Sequence, residues 1–297
     1  MSKIRLKGVF PPVVTPFKAG GDLDLEAFES NITKWNAYDL AGYLVLGSNG
    51  ETVYLTEEEK LSLVESALRR KKPGHHVMVG TGMESLRETL SLTNKVARLG
   101  ADSALVLTPN YYLGAMTDEA LIAYFTALAD QSEIPILIYN VPKFTHLNIR
   151  PEVVRTLSRH PNIIGMKDST GDIPQMATWL RIVPEDFNLI VGTASAWYPA
   201  LSLGVRTGIL ALANCNPKEC IEVQSTFDLG DDKTAYEIYQ RVFPINTAVT
   251  GTFGISGLKY ACDRVGFTGG HVRSPLLPLK EEAKKAIDDI LAKAGIL

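Results

Sequence analysis

The feature of this sequence that most constrains its fold is a series of eight short apolar runs, most of them followed by a segment with helical periodicity. Apolar runs that alternate with helices are typical of parallel β-strands buried on both faces. Thr56 and Glu59 predict one of the helix starts through a capping box. Eight such pairs, spaced at roughly the 30 residues of a βαβ unit, predict an α/β fold of the (β/α)8 TIM-barrel type. The predicted strands are residues 8–16, 42–47, 76–82, 103–109, 135–140, 163–167, 189–193 and 208–214.

A doubly wound open sheet is the main alternative for this pattern. That fold binds dinucleotides through a glycine-rich turn after the first strand. Residues 10–14 read Phe-Pro-Pro-Val-Val at that place, so the barrel is favoured. We expect residues 1–216 to form the barrel that carries the active site, and residues 217–297 to form a C-terminal helical extension packed on the barrel.

The composition disfavours several classes of partner. The net charge is −3 and the pI about 6.0, with no basic block to bind a phosphate backbone, so we expect no nucleic acid. No apolar run approaches the roughly 18 residues of a membrane span, and the N-terminus has no long apolar core of a secretory signal. The three cysteines are odd in number and include no Cys-x-x-Cys pair, which favours a reducing compartment, the cytoplasm. The five histidines have no metal-binding spacing, so we expect no metal.

Lys167 ends the sixth predicted strand, where burying an ammonium group is costly unless it is paired or neutral. The ordinary interpretation is a lysine that reaches solvent or pairs with Asp168. The alternative is an amine that acts as a nucleophile toward a carbonyl carbon. Because side chains alternate along a strand, Lys167 and Gly165 face one side and Asp168 faces the other. By the same parity Tyr139 shares the interior with Lys167, where Gly165 leaves room for a substrate, and this pairing of phenol and amine favours catalysis.

Other strand ends carry polar groups that suit a small carboxylic acid. Ser48 and Asn49 lie between two glycines after the second strand, where backbone N–H groups, a hydroxyl and an amide can hold a carboxylate. Taken alone, Gly-Ser-Asn-Gly is an ordinary turn, and the pair of Tyr111 and Tyr112 after the fourth strand is ordinary aromatic packing. Their combination with the lysine and the phenol at the strand ends of one barrel favours an active site.

Five motifs give the chain a resemblance to a known family over essentially its whole length. They are residues 11–17 (PPVVTPF), 47–51 (GSNGE), 139–142 (YNVP), 165–169 (GMKDS) and 273–276 (RSPL). The chain resembles the dihydrodipicolinate synthase and N-acetylneuraminate lyase family of class I pyruvate aldolases. The resemblance implies a TIM barrel, a small 2-keto acid substrate and a homotetramer built as a dimer of dimers. It implies no cofactor beyond the covalent Schiff base between the substrate and a lysine.

The resemblance also implies roles for individual residues. Lys167 would form the Schiff base, and Tyr139 would be the general acid and base. Ser48 and Asn49 would hold the pyruvate carboxylate. Ser48 would also join a proton relay that Tyr111 completes from a neighbouring subunit. Three further residues are expected to bind the substrate or line its pocket: Ser169, Gly192 and Ile209.

Three departures from the family pattern bear on the substrate. Dihydrodipicolinate synthases carry an arginine for the carboxylate of aspartate semialdehyde where this chain has Phe144, and a phenyl ring cannot form a bidentate carboxylate contact. They usually read Gly-Thr-Thr-Gly-Glu at residues 47–51, whereas GSNGE looks closest to the 4-hydroxy-2-oxoglutarate and 2-keto-3-deoxy-acid aldolases. Residues 193–196 (TASA) stand where neuraminate lyases carry acidic residues for a polyol tail.

These observations predict a Schiff-base aldolase, a carbon–carbon lyase that cleaves a 2-keto-4-hydroxy acid to pyruvate and an aldehyde. The substrate would be 4-hydroxy-2-oxoglutarate or a 2-keto-3-deoxy sugar acid. The alternative is a dihydrodipicolinate synthase that condenses pyruvate with aspartate semialdehyde and uses Lys143 or another cation in place of the arginine. A dehydratase that acts on a keto-deoxy sugar acid through the same Schiff base is a further alternative, whereas a non-catalytic binding protein is disfavoured because the lysine and tyrosine are both present. The residues leave open which aldehyde half is accepted and in which direction the reaction runs.

Overall fold

The computed structural model describes residues 3–297, which contain eight β-strands. The strands are β1 (Gly8–Phe10), β2 (Gly42–Val45), β3 (His76–Gly80), β4 (Ser103–Leu107), β5 (Ile136–Asn140), β6 (Ile163–Asp168), β7 (Asn188–Val191) and β8 (Thr207–Ile209). They form one sheet in the order β1-β8-β7-β6-β5-β4-β3-β2. A parallel bridge between Pro12 and Leu44 links the segment after β1 to β2. This cyclic order of neighbours is that of a (β/α)8 barrel, as predicted.

Twelve α-helices occur within residues 3–297, and four of them follow β8, where a helical extension was predicted. The division of the chain at residue 216 stays a prediction. Four helices lie outside the predicted set: Leu25–Trp35, Pro142–Thr145, Ile173–Leu180 and Trp197–Ser202. The helices are α1 (Leu25–Trp35), α2 (Glu57–Arg70), α3 (Leu86–Leu99), α4 (Asp118–Gln131), α5 (Pro142–Thr145), α6 (Pro151–Leu157), α7 (Ile173–Leu180), α8 (Trp197–Ser202), α9 (Pro217–Asp228), α10 (Asp232–Asn246), α11 (Gly254–Arg264) and α12 (Glu281–Lys293).

Local chemistry explains where several of these elements begin and end. The predicted capping box is confirmed: the Thr56 hydroxyl accepts a hydrogen bond from the Glu59 backbone at 3.3 Å, and the Glu59 carboxylate accepts one from the Thr56 backbone at 2.9 Å. The first strand is shorter than predicted. Pro11 and Pro12 follow it, and a proline has no backbone N–H to donate to a strand ladder.

The chain divides into two compact units. The first comprises residues up to Lys7 together with His76–Gly208, and the second comprises Gly8–His75 together with Ile209–Leu297. In the first unit β3 to β7 pair in parallel register with their sequence neighbours. The second unit contains β1, β2 and the helices from α9 to α12. Each unit therefore contributes its own set of strand ends.

The structure also bears on membrane-spanning helices, metal binding and the state of the cysteines. None of their helices combines the length and the hydropathy that a membrane crossing requires. Within residues 3–297 no three His, Cys, Asp or Glu side chains are grouped so that they could hold a metal ion. Cys215, Cys220 and Cys262 are buried cysteines that form no disulfide bond with one another, and burial raises the pKa of Cys215 to about 12. These thiols therefore act as small apolar core residues.

Candidate active site

Lys167 and Tyr139 lie side by side on neighbouring strands of the first unit. In the parallel pairing of β5 with β6, Tyr139 is opposite Lys167 and Asn140 is opposite Asp168. Lys167 is only 4% exposed, and its Nζ lies 4.2 Å from the centroid of the Tyr139 ring. The structure therefore holds the amine and the phenol ring in contact, where little water reaches them.

Asp168 makes its hydrogen bonds away from this pair. Its carboxylate accepts a hydrogen bond from the Asn140 side chain at 2.8 Å and others from the hydroxyl and backbone N–H of Thr170. Asp168 is fully buried, and this burial raises the pKa of its carboxyl group above the ordinary value. The carboxylate thus ties the end of β5 to the end of β6, in agreement with the parity that disfavoured it as the ion-pair partner of Lys167.

Gly192 lies beside both the Ser169 hydroxyl group and the stem of Lys167. A Cβ placed on Gly192 would lie 2.1 Å from the Ser169 hydroxyl oxygen and 3.0 Å from Cε of Lys167. The Ser169 hydroxyl donates to the Gly192 carbonyl at 3.4 Å. The structure therefore brings these two predicted residues together with the lysine, and only a glycine leaves space for the other two side chains.

Gly165 has a different role from the predicted one. A Cβ at this position would lie 2.3 Å from the carbonyl oxygen of Asn188 on β7 and 2.9 Å from Cδ2 of Leu137 on β5. Protein atoms therefore fill the space beside Gly165, and the glycine allows β6 to pack closely against both neighbouring strands. The prediction that Gly165 leaves room for a substrate is wrong for this reason.

Tyr111 lies on the loop after β4 and is 77% exposed in the single chain. Its ring packs edge-on against Tyr112, with ring centroids 5.0 Å apart. The Glu84 carboxylate fixes the loop backbone by accepting hydrogen bonds of 3.0 Å from the N–H groups of Asn110 and Tyr111. Sequence reasoning missed Glu84, because a carboxylate that binds backbone N–H groups 26 residues away has no spacing signal.

Ser48 and Asn49 belong to the second unit, where they open a short 3-10 turn that follows β2 and ends at Gly50. Both are partly exposed. Glu51 follows the turn in the left-handed region, with φ of 56°. Ile209, the remaining predicted residue, ends β8 in the same unit and is fully buried. The carboxylate-binding residues of the prediction therefore lie on a turn of defined backbone geometry.

The whole chain matches one family of enzymes. The sequence model of the Dihydrodipicolinate synthetase family matches residues 5–294. The chain belongs to this family. Curated relatives include the 4-hydroxy-tetrahydrodipicolinate synthases of Methanospirillum hungatei, 34% identical over 97% of this chain and 99% of the relative, and of Ruegeria pomeroyi, 34% identical over 98% of this chain and 99% of the relative.

Solved structures of dihydrodipicolinate synthases share the fold. The enzyme from Thermotoga maritima has a TM-score of 0.92 and 29% identity, covering 98% of this chain and 99% of its own. The chloride-inhibited enzyme from Acinetobacter baumannii, complexed with pyruvate, has a TM-score of 0.93 and 27% identity, covering 99% of this chain and 100% of its own. The predicted TIM barrel with C-terminal helices is thereby confirmed.

Membership of the dihydrodipicolinate synthetase family makes the chain an enzyme of the pyruvate-dependent, class I aldolase type. The predicted family is therefore confirmed. The names of the curated relatives agree with the alternative reaction, condensation to a dihydrodipicolinate precursor, better than with the predicted cleavage. The reaction itself depends on the residues that meet the second substrate.

Phe144, which stands where the family resemblance implies an arginine, lies on α5 and is 51% exposed. The ammonium group of Lys143 lies 5.8 Å from the centroid of the Phe144 ring. After β7, the hydroxyl oxygens of Thr193 and Ser195 are 2.9 Å apart. At the positions expected to meet a second substrate, the chain thus has a phenyl ring where the resemblance implies a guanidinium, and a pair of hydroxyl groups after β7.

Proposed function

We propose that this protein is a Schiff-base aldolase in which Lys167 attacks the ketone of a 2-keto-4-hydroxy acid. The observation that carries the proposal is the distance of 4.2 Å between the Lys167 amine and the Tyr139 ring, with the lysine only 4% exposed. An amine shielded from water can add to a ketone, and a phenol beside it can take up or release the proton.

The reaction follows from these two groups. The neutral amine of Lys167 attacks C2 of the substrate, and loss of water leaves an iminium that withdraws electrons from C3. Tyr139 removes the proton of the C4 hydroxyl, the C3–C4 bond breaks, and an aldehyde leaves. The remaining enamine takes a proton at C3, and water then releases pyruvate and the free amine. With 4-hydroxy-2-oxoglutarate the aldehyde is glyoxylate.

The family resemblance supplies the other roles in this proposal. Ser48 and Asn49 hold the pyruvate carboxylate, and Ser48 and Tyr111 complete the proton relay of Tyr139. Tyr111 acts from the neighbouring subunit of a homotetramer, and its exposed ring in the single chain supports this role. No cofactor takes part, and the cytoplasm stays the predicted location. Ser169, Gly192 and Ile209 are the further residues that this proposal assigns to substrate binding.

Condensation of pyruvate with aspartate semialdehyde is the second candidate, and the names of the relatives favour it over cleavage. The residue at position 144 favours cleavage, because a phenyl ring has no donor for the carboxylate that aspartate semialdehyde carries. Glyoxylate also has a carboxylate, but it is bonded directly to the aldehyde carbon. It therefore needs a partner closer to the reacting atoms than Phe144, and the hydroxyl pair of Thr193 and Ser195 supplies suitable donors.

Reductive trapping tests the Schiff base. Borohydride added with pyruvate should convert the iminium into a stable amine and add one reduced pyruvyl group to Lys167, detected by intact mass and peptide mapping. Lys167→Met keeps a side chain of similar length without the amine, so the adduct should disappear. Lys218→Met is the matched control, since Lys218 is exposed on α9, and its labelling should equal that of the wild type. A wild-type protein without the adduct would contradict the proposal.

Product analysis separates the two reactions. We expect kcat/KM for conversion of 4-hydroxy-2-oxoglutarate to glyoxylate and pyruvate to exceed that for condensation with aspartate semialdehyde. The opposite ranking would replace the proposal by the second candidate. Phe144→Arg should raise condensation about tenfold, because a bidentate charged contact is worth roughly 1.5–3 kcal/mol. Phe144→Leu removes the same ring without adding a donor and should leave condensation unchanged.

A further inference from the structure

A buried ion pair is attached to the turn that follows β2. Glu51, which directly follows the turn, is 1% exposed, and its Oε1 accepts a hydrogen bond of 2.6 Å from Nζ of Lys259. The other carboxylate oxygen accepts a hydrogen bond of 2.9 Å from the backbone N–H of Arg273. Lys259 is itself 1% exposed and also donates to the carbonyl of His271. We call Glu51, Lys259 and the backbone of Arg273 the Glu51 clamp.

The backbone of the turn needs such a constraint. Glu51 adopts a left-handed φ of 56°, a conformation that is unfavourable for a residue with a Cβ unless its surroundings enforce it. Gly50, the preceding residue, has a second constraint: its carbonyl accepts a hydrogen bond of 2.8 Å from the Thr15 hydroxyl. A Cβ on Gly50 would lie only 3.1 Å from the carbonyl oxygen of Val13. The end of the turn is thus held between two anchors.

The side chain of Arg273 fixes the clamp in turn. Its guanidinium donates to both carboxylate oxygens of Glu59, each at 2.6 Å, and to the carbonyl of Tyr54 at 2.8 Å. The same guanidinium lies 4.3 Å from the centroid of the Phe17 ring, and Nζ of Lys259 lies 4.5 Å from it. One aromatic ring therefore contacts both cations.

We propose that Glu51 is a positioning residue for the carboxylate of the 2-keto acid, acting through the turn that carries Ser48 and Asn49. This inference rests on the proposed function, which assigns carboxylate binding to that turn. Thr15, Glu51 and Arg273 lie in three of the motifs that carry the family resemblance, and the proposed function assigns none of them a role in the reaction. The Glu51 clamp and the hydrogen bond from Thr15 to Gly50 give all three residues one task, which is to fix the backbone N–H groups and side chains of the turn.

Stability alone does not account for the ion pair. A buried pair is often no more stabilising than well-packed apolar residues of similar volume, because both charges lose their hydration. Burial lowers the pKa of Lys259, and the Glu51 carboxylate opposes this change. The ion pair is instead explained by the geometry that it imposes, which is a left-handed residue two positions after Asn49.

The initial rate of reductive trapping, measured at increasing pyruvate concentrations, tests the proposal without knowledge of the aldehyde. Glu51→Gln keeps the shape and an acceptor for Arg273 but removes the charge that Lys259 requires. The half-saturating pyruvate concentration should rise about tenfold, the equivalent of one weakened charged hydrogen bond. The maximal trapping rate should stay within about twofold, because lost ground-state binding raises KM and leaves kcat unchanged.

A double variant separates positioning from stability. Glu51→Gln combined with Lys259→Met leaves no unpaired buried charge, so the thermal midpoint should recover relative to Glu51→Gln alone. The half-saturating pyruvate concentration should remain raised, because the clamp is still absent. If the two quantities recover together, the ion pair is merely structural and the proposal is overturned.

A second anchor keeps the proposal testable where Glu51→Gln does not fold. Thr15→Val removes the hydroxyl that holds Gly50 and should raise the half-saturating concentration, whereas Thr15→Ser should restore it. Asn36→Ala is the control for lost stability in the same unit, since Asn36 accepts a hydrogen bond of 2.8 Å from the Tyr43 hydroxyl near the start of β2, away from the turn.

Two outcomes distinguish this inference from the proposed function. A wild-type protein that cannot be trapped would contradict the proposed function. Normal trapping with unchanged half-saturation in Glu51→Gln and Thr15→Val would end only the positioning role.

Discussion

Asn140 donates a hydrogen bond of 2.8 Å to Asp168, and each of these residues directly follows one member of the candidate reacting pair. Asn140 follows Tyr139 on β5, and Asp168 follows Lys167 on β6. Strand parity turns the bonded residues to the face opposite the amine and the phenol. The bond therefore fixes the spacing of the two strand ends without entering the site. The Asn140 side chain also accepts a hydrogen bond of 3.0 Å from the backbone of Ile149, so it is itself held in place.

Asn140→Ala should lower the free energy of unfolding by about 1–3 kcal/mol, because the buried carboxylate of Asp168 loses one of its donors. Urea denaturation measures the change. Asn148→Ala is the matched control. Asn148 is exposed and accepts the other hydrogen bond of the Asn140 amide, at 2.8 Å, so its loss should cost less than about 0.5 kcal/mol. If both variants lose the same free energy of unfolding, the hydrogen bond to Asp168 contributes no more to stability than the one to Asn148.

Tyr139→Phe should reduce kcat for cleavage by a factor of about 10² to 10⁴, the range that one positioned general acid or base supplies. The phenyl ring still packs on the Lys167 amine, so the borohydride adduct with pyruvate should form to the wild-type extent at long times. Tyr124→Phe removes a half-buried phenol that donates to the Thr89 hydroxyl at 2.9 Å, and should change kcat by less than about twofold. A Tyr139→Phe enzyme with wild-type kcat would remove the phenol from the mechanism.

The pairing of Lys167 with Tyr139 could be predicted from the sequence, because it depends only on local rules. Alternation along a strand gives each residue a face, and neighbouring strands of a parallel barrel share that face. The same rules correctly turned Asp168 away from the amine. The alternation of side chains along a strand does not show which atoms occupy the space beside a residue. For that reason Gly165 was misinterpreted as an opening, although the strands on either side occupy it.

The Glu51 clamp could not be predicted, because it joins residues that are far apart in sequence. Glu51 and Lys259 are 208 residues apart, and no helical or strand period relates them. A glutamate after a Gly-rich turn and a lysine on a C-terminal helix are each typical surface residues. Only the packing of the second unit buries both and places their charges 2.6 Å apart.

Gly192→Ala should disturb the reacting lysine more than it disturbs the fold. The added Cβ would lie 2.1 Å from the Ser169 hydroxyl oxygen and 3.0 Å from Cε of Lys167, so both side chains must move. We expect the trapping rate with pyruvate to fall at least about tenfold, and the free energy of unfolding to fall by roughly 1–3 kcal/mol, as for other overpacked sites. Gly20→Ala is the control, since a Cβ there meets no atom within 4 Å. An unchanged trapping rate in Gly192→Ala would mean that the lysine stem does not depend on this glycine.

Asp168→Asn tests whether the protonated or the charged form of Asp168 is favoured where this residue joins β5 to β6. The test is the sign with which the free energy of unfolding changes with pH. Burial raises the pKa of Asp168 above the ordinary value of 3.8, so the folded state binds this proton more tightly than the unfolded state does. The stability that this carboxyl contributes is therefore full below pH 3.8 and is lost as the pH rises through the raised pKa. The amide of the variant does not titrate. We therefore subtract the free energy of unfolding of the wild type from that of Asp168→Asn. This difference should rise with pH across this window and stay constant above it. Urea denaturation at a series of pH values measures it.

Asp231→Asn gives a control of opposite sign for this measurement. The hydrogen bonds of Thr234 lower the pKa of Asp231, which caps α10, below 3.8. Its contribution to stability is full above pH 3.8 and is lost as the pH falls through the lowered pKa, so the same difference for Asp231→Asn should fall as the pH rises. Slopes of the same sign in both variants would contradict the prediction. They would mean that hydrogen bonds from Asn140 and Thr170 outweigh burial at Asp168 and that the link between β5 and β6 favours the charged carboxylate.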